Sequence, residues 1–197
     1  MTGLNPTGLD GLTGWPPRIV ERDEQPYAAV RCVVPMSAIS TVPARLDELM
    51  TWLAQHGAQP DGPVFFRYEL IDMAGELVIE VGVPVSGEVP TGEGDLVTGV
   101  LPAGSYASVL HVGHPDRLVD VTGRLLDWGA DVGVQWDAHE TPAGSRWGCR
   151  LEIYWTDPAE EPDMNLWATQ LAFRVAALPV GNVPGQDDDP ASTASNV

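Results

Sequence analysis

The chain has 197 residues and a formal net charge of −18, from 28 acidic and 10 basic side chains. A surface this acidic repels phosphate backbones, and no basic patch or recognition-helix candidate interrupts it, so direct nucleic-acid binding is not expected. Hydrophobic residues make up 44%, yet no apolar run is long enough for a bilayer and no basic-then-apolar leader begins the chain; the reading is a soluble, cytoplasmic protein with no membrane role.

Residues 1–17 are Gly-rich and polar and read as a flexible lead-in. Residues 27–34 read as a strand. A helix follows over 42–53, with Pro43 in its first turn and Leu46, Leu49, Met50 and Leu53 as one apolar stripe; Gly57 ends it. Two strands, 65–71 and 77–85, then flank a hairpin connection at 72–75. The same order returns: a strand over 105–112, a helix capped by His114 with Pro115 in its first turn and Leu118, Val121, Leu125 and Leu126 as its buried face, then strands over 147–155 and 167–175. Tyr27-Ala28-x-Val30 recurs as Tyr106-Ala107-x-Val109, and Leu49-x-x-Trp52 as Leu125-x-x-Trp128. The expected fold is therefore α+β: a duplicated strand–helix–strand–strand unit, its antiparallel sheet carrying two helices on one side, with a ligand cleft between the halves. One domain is expected over 18–178, with halves 18–90 and 91–178. Residues 179–197, with the run Asp187-Asp188-Asp189, read as a disordered acidic tail.

The strand over 150–155 carries the most chemistry. Alternation puts Arg150, Glu152 and Tyr154 on one face and Leu151, Ile153 and Trp155 on the other. If the apolar set faces the helices, Glu152 lies on the open face beside a phenol, fit to receive a delocalised cation or to hold a proton; pairing across the sheet with Arg150 or another basic residue is the plainer role. Glu80 lies opposite the apolar set from Leu77 to Val85, next to Gly82, which leaves room for a ligand or a close backbone; an ordinary exposed edge glutamate is the alternative. Phe66 and Tyr68 share a strand face. Trp136 lies in a long linker and reads as a lid or a hydrophobic tether, Trp147 begins a strand, and Trp52 and Trp128 read as packing.

Other chemistries lack their residues. Cys32 and Cys149 read as buried free thiols, and His111 with His114 has no third and fourth ligand for zinc, so no metal is expected. There is no nucleophile elbow, P-loop or Rossmann glycine pattern, and no cofactor is expected.

The strings Gly62-Pro63-x-Phe65-x-Arg67-Tyr68, Val81-Gly82-Val83-Pro84-Val85, Leu101-Pro102-Ala103-Gly104-x-Tyr106-Ala107, His111-x-Gly113 and Leu151-Glu152-Ile153-Tyr154-x-x-Asp157-Pro158, in this order and spacing, resemble the GyrI-like small-molecule-binding family over about residues 25–176. The resemblance implies a cleft between the halves with a glutamate and aromatic walls. Its members include effector-binding domains of multidrug-responsive regulators, a gyrase-inhibitory protein and hydrolases of cyclopropane-bearing DNA alkylators. Glu152 matches the family's acidic strand position, whereas Thr169-Gln170 stands where the family often has Thr-Glu, a departure toward neutral ligands. No helix-turn-helix partner is expected. What the resemblance implies is a stand-alone binder of small lipophilic, aromatic molecules, cations included, using Glu152, Tyr154, Arg150, Glu80, Phe66, Tyr68, Trp136 and Trp147. Two alternatives stay open: a hydrolase in which Glu152 and Tyr154 are catalytic, with Trp136 helping to hold the substrate, and a gyrase-interacting modulator. Either a monomer or a homodimer is compatible with the sequence.

Overall fold

A computed structural model describes residues 14–87 and 91–177; the expectations for residues 1–13 and for the acidic tail lie outside the described residues. The chain opens with β1 (Arg18–Arg22) and β2 (Gln25–Pro35), one extended run bent at Asp23 and Glu24. A 3-10 stretch, Met36–Arg45, then leads into α1 (Leu46–Gln55). Pro43 falls in that 3-10 stretch, so the α-helix starts later than its apolar stripe suggested. After β3 (Val64–Ile71) and β4 (Glu76–Pro84) comes a second bent run, β5 (Leu96–Leu101) and β6 (Gly104–Val112). The chain continues through α2 (Leu118–Val132), β7 (Gln135–Trp136), β8 (Ala138–Thr141), β9 (Gly144–Trp147), β10 (Arg150–Tyr154) and β11 (Ala168–Ala177). The single strand expected over 147–155 is thus interrupted at Gly148 and Cys149.

Local chemistry explains the helix ends. The His114 imidazole accepts a hydrogen bond from the Asp116 amide at 3.3 Å, with Pro115 next in the chain. Gly133 closes α2 in the left-handed region, φ 81°, where a side chain would be strained. Each helix buries one stripe: Leu49 and Leu53 on α1, Leu118, Leu125 and Trp128 on α2. Full burial of each such leucine stabilises the fold by roughly 1.5–3 kcal/mol.

The main sheet runs β1-β6-β11-β10-β3-β4-β2-β5, and its pairings are antiparallel. Arg22 lies opposite Gly104, and Gln25 opposite Leu101. The two bent runs therefore keep one register through the corner, and the sheet curls until its ends share a ribbon. Both faces are consequently apolar. On the outer face α1 packs over β2, β3 and β4, while α2 packs over β6 and β11, as two separate clusters. The inner face holds a third cluster that includes Tyr27, Phe65, Leu101, Tyr106, Leu151 and Ile153. This is the antiparallel curled sheet with two helices on one side that the duplicated pattern suggests.

One expectation is reversed. Leu151, Ile153 and Trp155 belong to the inner cluster, so it is Arg150, Glu152 and Tyr154 that share the helix-bearing face. Alternation alone assigns residues to two faces; here both are buried, and apolarity no longer tells which one the helices cover.

Candidate functional site

Each helix covers its own half, and β10 with β3 forms the floor of the seam between them. Tyr154 packs against both helical clusters, the one part-buried aromatic of β10 shared by the two. Glu152 lies opposite Phe66 of β3 and Leu171 of β11. Antiparallel register places directly opposed side chains on the same face. Phe66, Tyr68, Arg150, Glu152 and Tyr154 are thus gathered along this seam, and the Tyr154 ring meets the Phe66 ring edge-on at 5.0 Å.

Glu152 is part-buried on the helix-bearing face of β10. The Tyr154 hydroxyl donates to its Oε2 at 2.8 Å. Burial raises the Glu152 carboxyl above its ordinary value, while the Tyr154 and Tyr68 hydroxyls and the Arg150 charge work against that rise. Both phenols are in turn pushed well up, first by burial and then by the adjacent carboxylate. No ion pair joins Arg150 to Glu152 among the described residues. The Arg150 guanidinium stacks instead on Phe173 at 4.5 Å, Trp147 at 4.8 Å and Tyr68 at 5.7 Å. Its buried Nε finds no hydrogen-bond partner, and burial lowers its basicity. The aromatic cage substitutes ring quadrupoles for a carboxylate. Glu152 is left as a carboxyl with two phenols and no directly paired cation.

Glu80 lies elsewhere. It is 4% exposed, on the inner face, and accepts from the Tyr27 hydroxyl at 2.7 Å and from Arg67 Nη1 at 3.0 Å. Its charge is matched by Arg67, and the structure does not bring it to Glu152. The room at Gly82 is filled: an added Cβ would come within 2.8 Å of the Phe65 ring and 2.9 Å of Ala29 Cβ. Trp136 is held rather than free, paired through β7 to Val175 and packed against Trp147 at 6.0 Å and Phe173 at 6.1 Å. Trp147 walls the Arg150 cage. Phe173, which carries the Arg150 guanidinium, was missed by sequence reasoning; its register opposite Arg150 was the only signal, and register is not visible before the strands are paired.

Among the described residues no group of three or more His, Cys, Asp or Glu side chains is placed to hold a metal ion. Cys32 and Cys149 are both buried free thiols. No helix among them is long and apolar enough to cross a membrane.

Known proteins are similar to this chain in sequence or in fold. A protein of Erwinia billingiae named DNA gyrase inhibitor is 35% identical over 121 residues, covering 58% of this chain and 76% of that protein. EcmrR in its complex with DNA superimposes with a TM-score of 0.64 at 22% identity, over 81% of this chain; the chain spans only 57% of EcmrR. SAV2435 bound to tetraphenylphosphonium superimposes with a TM-score of 0.54 at 8% identity, covering 81% of this chain and 93% of that one. The two structures speak to the fold alone. The curled sheet, the paired helices and a family model matching residues 16–175 lead to one statement: the chain belongs to the GyrI-like small molecule binding domain family.

Proposed function

We propose that the seam between the helices receives small, lipophilic, aromatic molecules, cations included, with Glu152 as its charged group. One observation carries the reading: a part-buried carboxyl bonded to a phenol, with no directly paired cation, set between two aromatic-rich walls. A delocalised cation would meet Phe66, Tyr68 and Tyr154 rings at its faces and would neutralise a carboxylate that burial disfavours. The capture of tetraphenylphosphonium by SAV2435 is in keeping with this. Titrating the protein with tetraphenylphosphonium should quench tryptophan fluorescence saturably, since Trp147 stands at the wall. Glu152→Gln, which keeps shape and hydrogen bonding, should weaken binding at least about tenfold, the effect of losing one partly buried charge contact of some 1.4 kcal/mol. An unchanged affinity would remove Glu152 from the site.

Glu152 supports a second reading. A carboxyl raised by burial and bonded by phenols can pass a proton to or from a bound molecule, and opening a strained ring needs little beyond positioning and such proton transfer. Incubation with a cyclopropane-bearing alkylator, read by mass spectrometry, would then give a water adduct with the wild type and none with Glu152→Gln. The name of the Erwinia billingiae relative adds gyrase as a partner to try in a capture assay with purified subunits.

A further inference from the structure

Arg150 and Glu152 stand two residues apart on one face of β10, which puts their Cα atoms roughly 6.5 Å apart along the strand. Both are part-buried, whereas Leu151 and Ile153, which alternate with them, are buried. Opposite charges this close ordinarily neutralise each other. Here they do not: among the described residues neither Arg150 nor Glu152 takes part in an ion pair. The Glu152 carboxylate is held by the Tyr154 hydroxyl, at the Phe66 end of the seam. The Arg150 guanidinium is held by rings at the other end.

Those rings leave the guanidinium incompletely served. Phe173 lies directly opposite Arg150 in the register, and Trp147 and Tyr68 add two more ring faces. A ring face attracts the positive charge but offers no lone pair to an N–H donor. Arg150 Nε is buried with no hydrogen-bond partner, and an unused donor on a charged group is costly in an apolar setting. Burial lowers the basicity of Arg150 and raises the Glu152 carboxyl, so each group gains from an opposite charge brought in from outside. A ligand that is only a cation answers half of this. Seated at Glu152, it also brings its charge close to that of Arg150, and like charges repel most where water is scarce.

We infer that the seam selects amphoteric aromatic molecules, in which a delocalised cation rests beside Glu152 and a carboxylate on the same scaffold is taken by Arg150. Such a molecule is neutral as a whole, like the Arg150 and Glu152 pair that receives it, and it supplies both missing counter-charges at once. The planar fork of guanidinium N–H groups is shaped for a carboxylate. This selection rests on the proposed role of Glu152 and adds Arg150 as the residue that sets specificity.

Rhodamine 110 and rhodamine 123 make the comparison, since both carry a cationic xanthene and the first has a free carboxylate where the second has its methyl ester. Fluorescence anisotropy with the full chain at neutral pH should show the free acid bound about tenfold more tightly than the ester, the size of one charge-assisted contact. Arg150→Met, which keeps an apolar side chain against the rings, should weaken the free acid about tenfold. The same variant should bind the ester and tetraphenylphosphonium as tightly as the wild type or more so, because a like charge is gone. A merely structural role for Arg150 would weaken all three together and would count against the assignment. Arg150→Lys, which retains the charge, should retain the preference for the free acid. The wild-type preference and Arg150→Lys decide the matter if Arg150→Met fails to fold. Equal or weaker binding of the free acid by the wild type, with the ester and tetraphenylphosphonium still lost in Glu152→Gln, overturns the selection by Arg150 and leaves the role of Glu152 standing. No binding of any of the three probes overturns both.

Discussion

Glu152 stands between opposing influences in the seam between the helices, and their balance sets a pH dependence. Burial raises its carboxyl above 4.5, against the pull of two phenols and the Arg150 charge. A carboxyl whose folded value lies above its unfolded one is most favourable to the fold when protonated; that contribution is complete below the unfolded value and is lost as pH rises through the folded one. Ionised Glu152 is thus a strained group at neutral pH, and a bound cation relieves it. Tetraphenylphosphonium affinity should therefore climb with pH, with a midpoint above 4.5, and a titration of Glu152→Gln should be flat over the same range. Arg150 had looked on sequence like the natural partner of Glu152, two residues away on the same face. Three aromatic rings hold it instead, two of them, Trp147 and Phe173, brought in by β9 and β11, which no local spacing announces. Glu80 shows the reverse case, since its alternation with Ile79 and Val81 correctly set it on the other face, but only pairing revealed Arg67 and Tyr27 as its partners.

At the scale of elements, α2 depends on a glycine for its contact with β7. An added Cβ at Gly129 would overlap the Trp136 ring, whereas one at the exposed Gly123, in the same helix, meets nothing within 4 Å. Replacing glycine by alanine inside a helix is favourable by roughly 0.5–1 kcal/mol when the space is free. Gly123→Ala should then stabilise the protein by about that amount. Gly129→Ala should destabilise it by about 1–3 kcal/mol, because displacing a packed indole costs more than the helix gains. Urea unfolding of the two variants reads the difference in sign. The strap β7–β9 that holds Trp136 was not legible, because strands of two to four residues are too short to show a period. The helices and the long strands were legible, since Leu49 with Leu53, and Ile79 with Val81, repeat at the spacings their geometries impose.

For the molecule as a whole, the curl of the sheet buries phenols on both faces. All four tyrosines, Tyr27, Tyr68, Tyr106 and Tyr154, are raised above 10, in each case chiefly by burial. The stability associated with them is complete below pH 10 and is lost as pH rises further, because the unfolded chain releases these protons first. Absorbance at 295 nm should therefore show no separate tyrosine ionisations near pH 10. The four should ionise together, at higher pH, in step with the loss of circular dichroism. A staged titration would mean that some phenols reach water in the folded state.

Periodicity and motif order are local and survive without contacts, so the duplicated order of strands and helices, the membership of each face of β4 and β10, and the family could be read from the chain alone. Which face the helices cover, and what surrounds Glu80 and Arg150, emerged only once the strands were paired. The physical reason is the closure of the curl: once both faces of a sheet are buried, hydrophobicity stops distinguishing them, and register between distant strands settles which side chains meet.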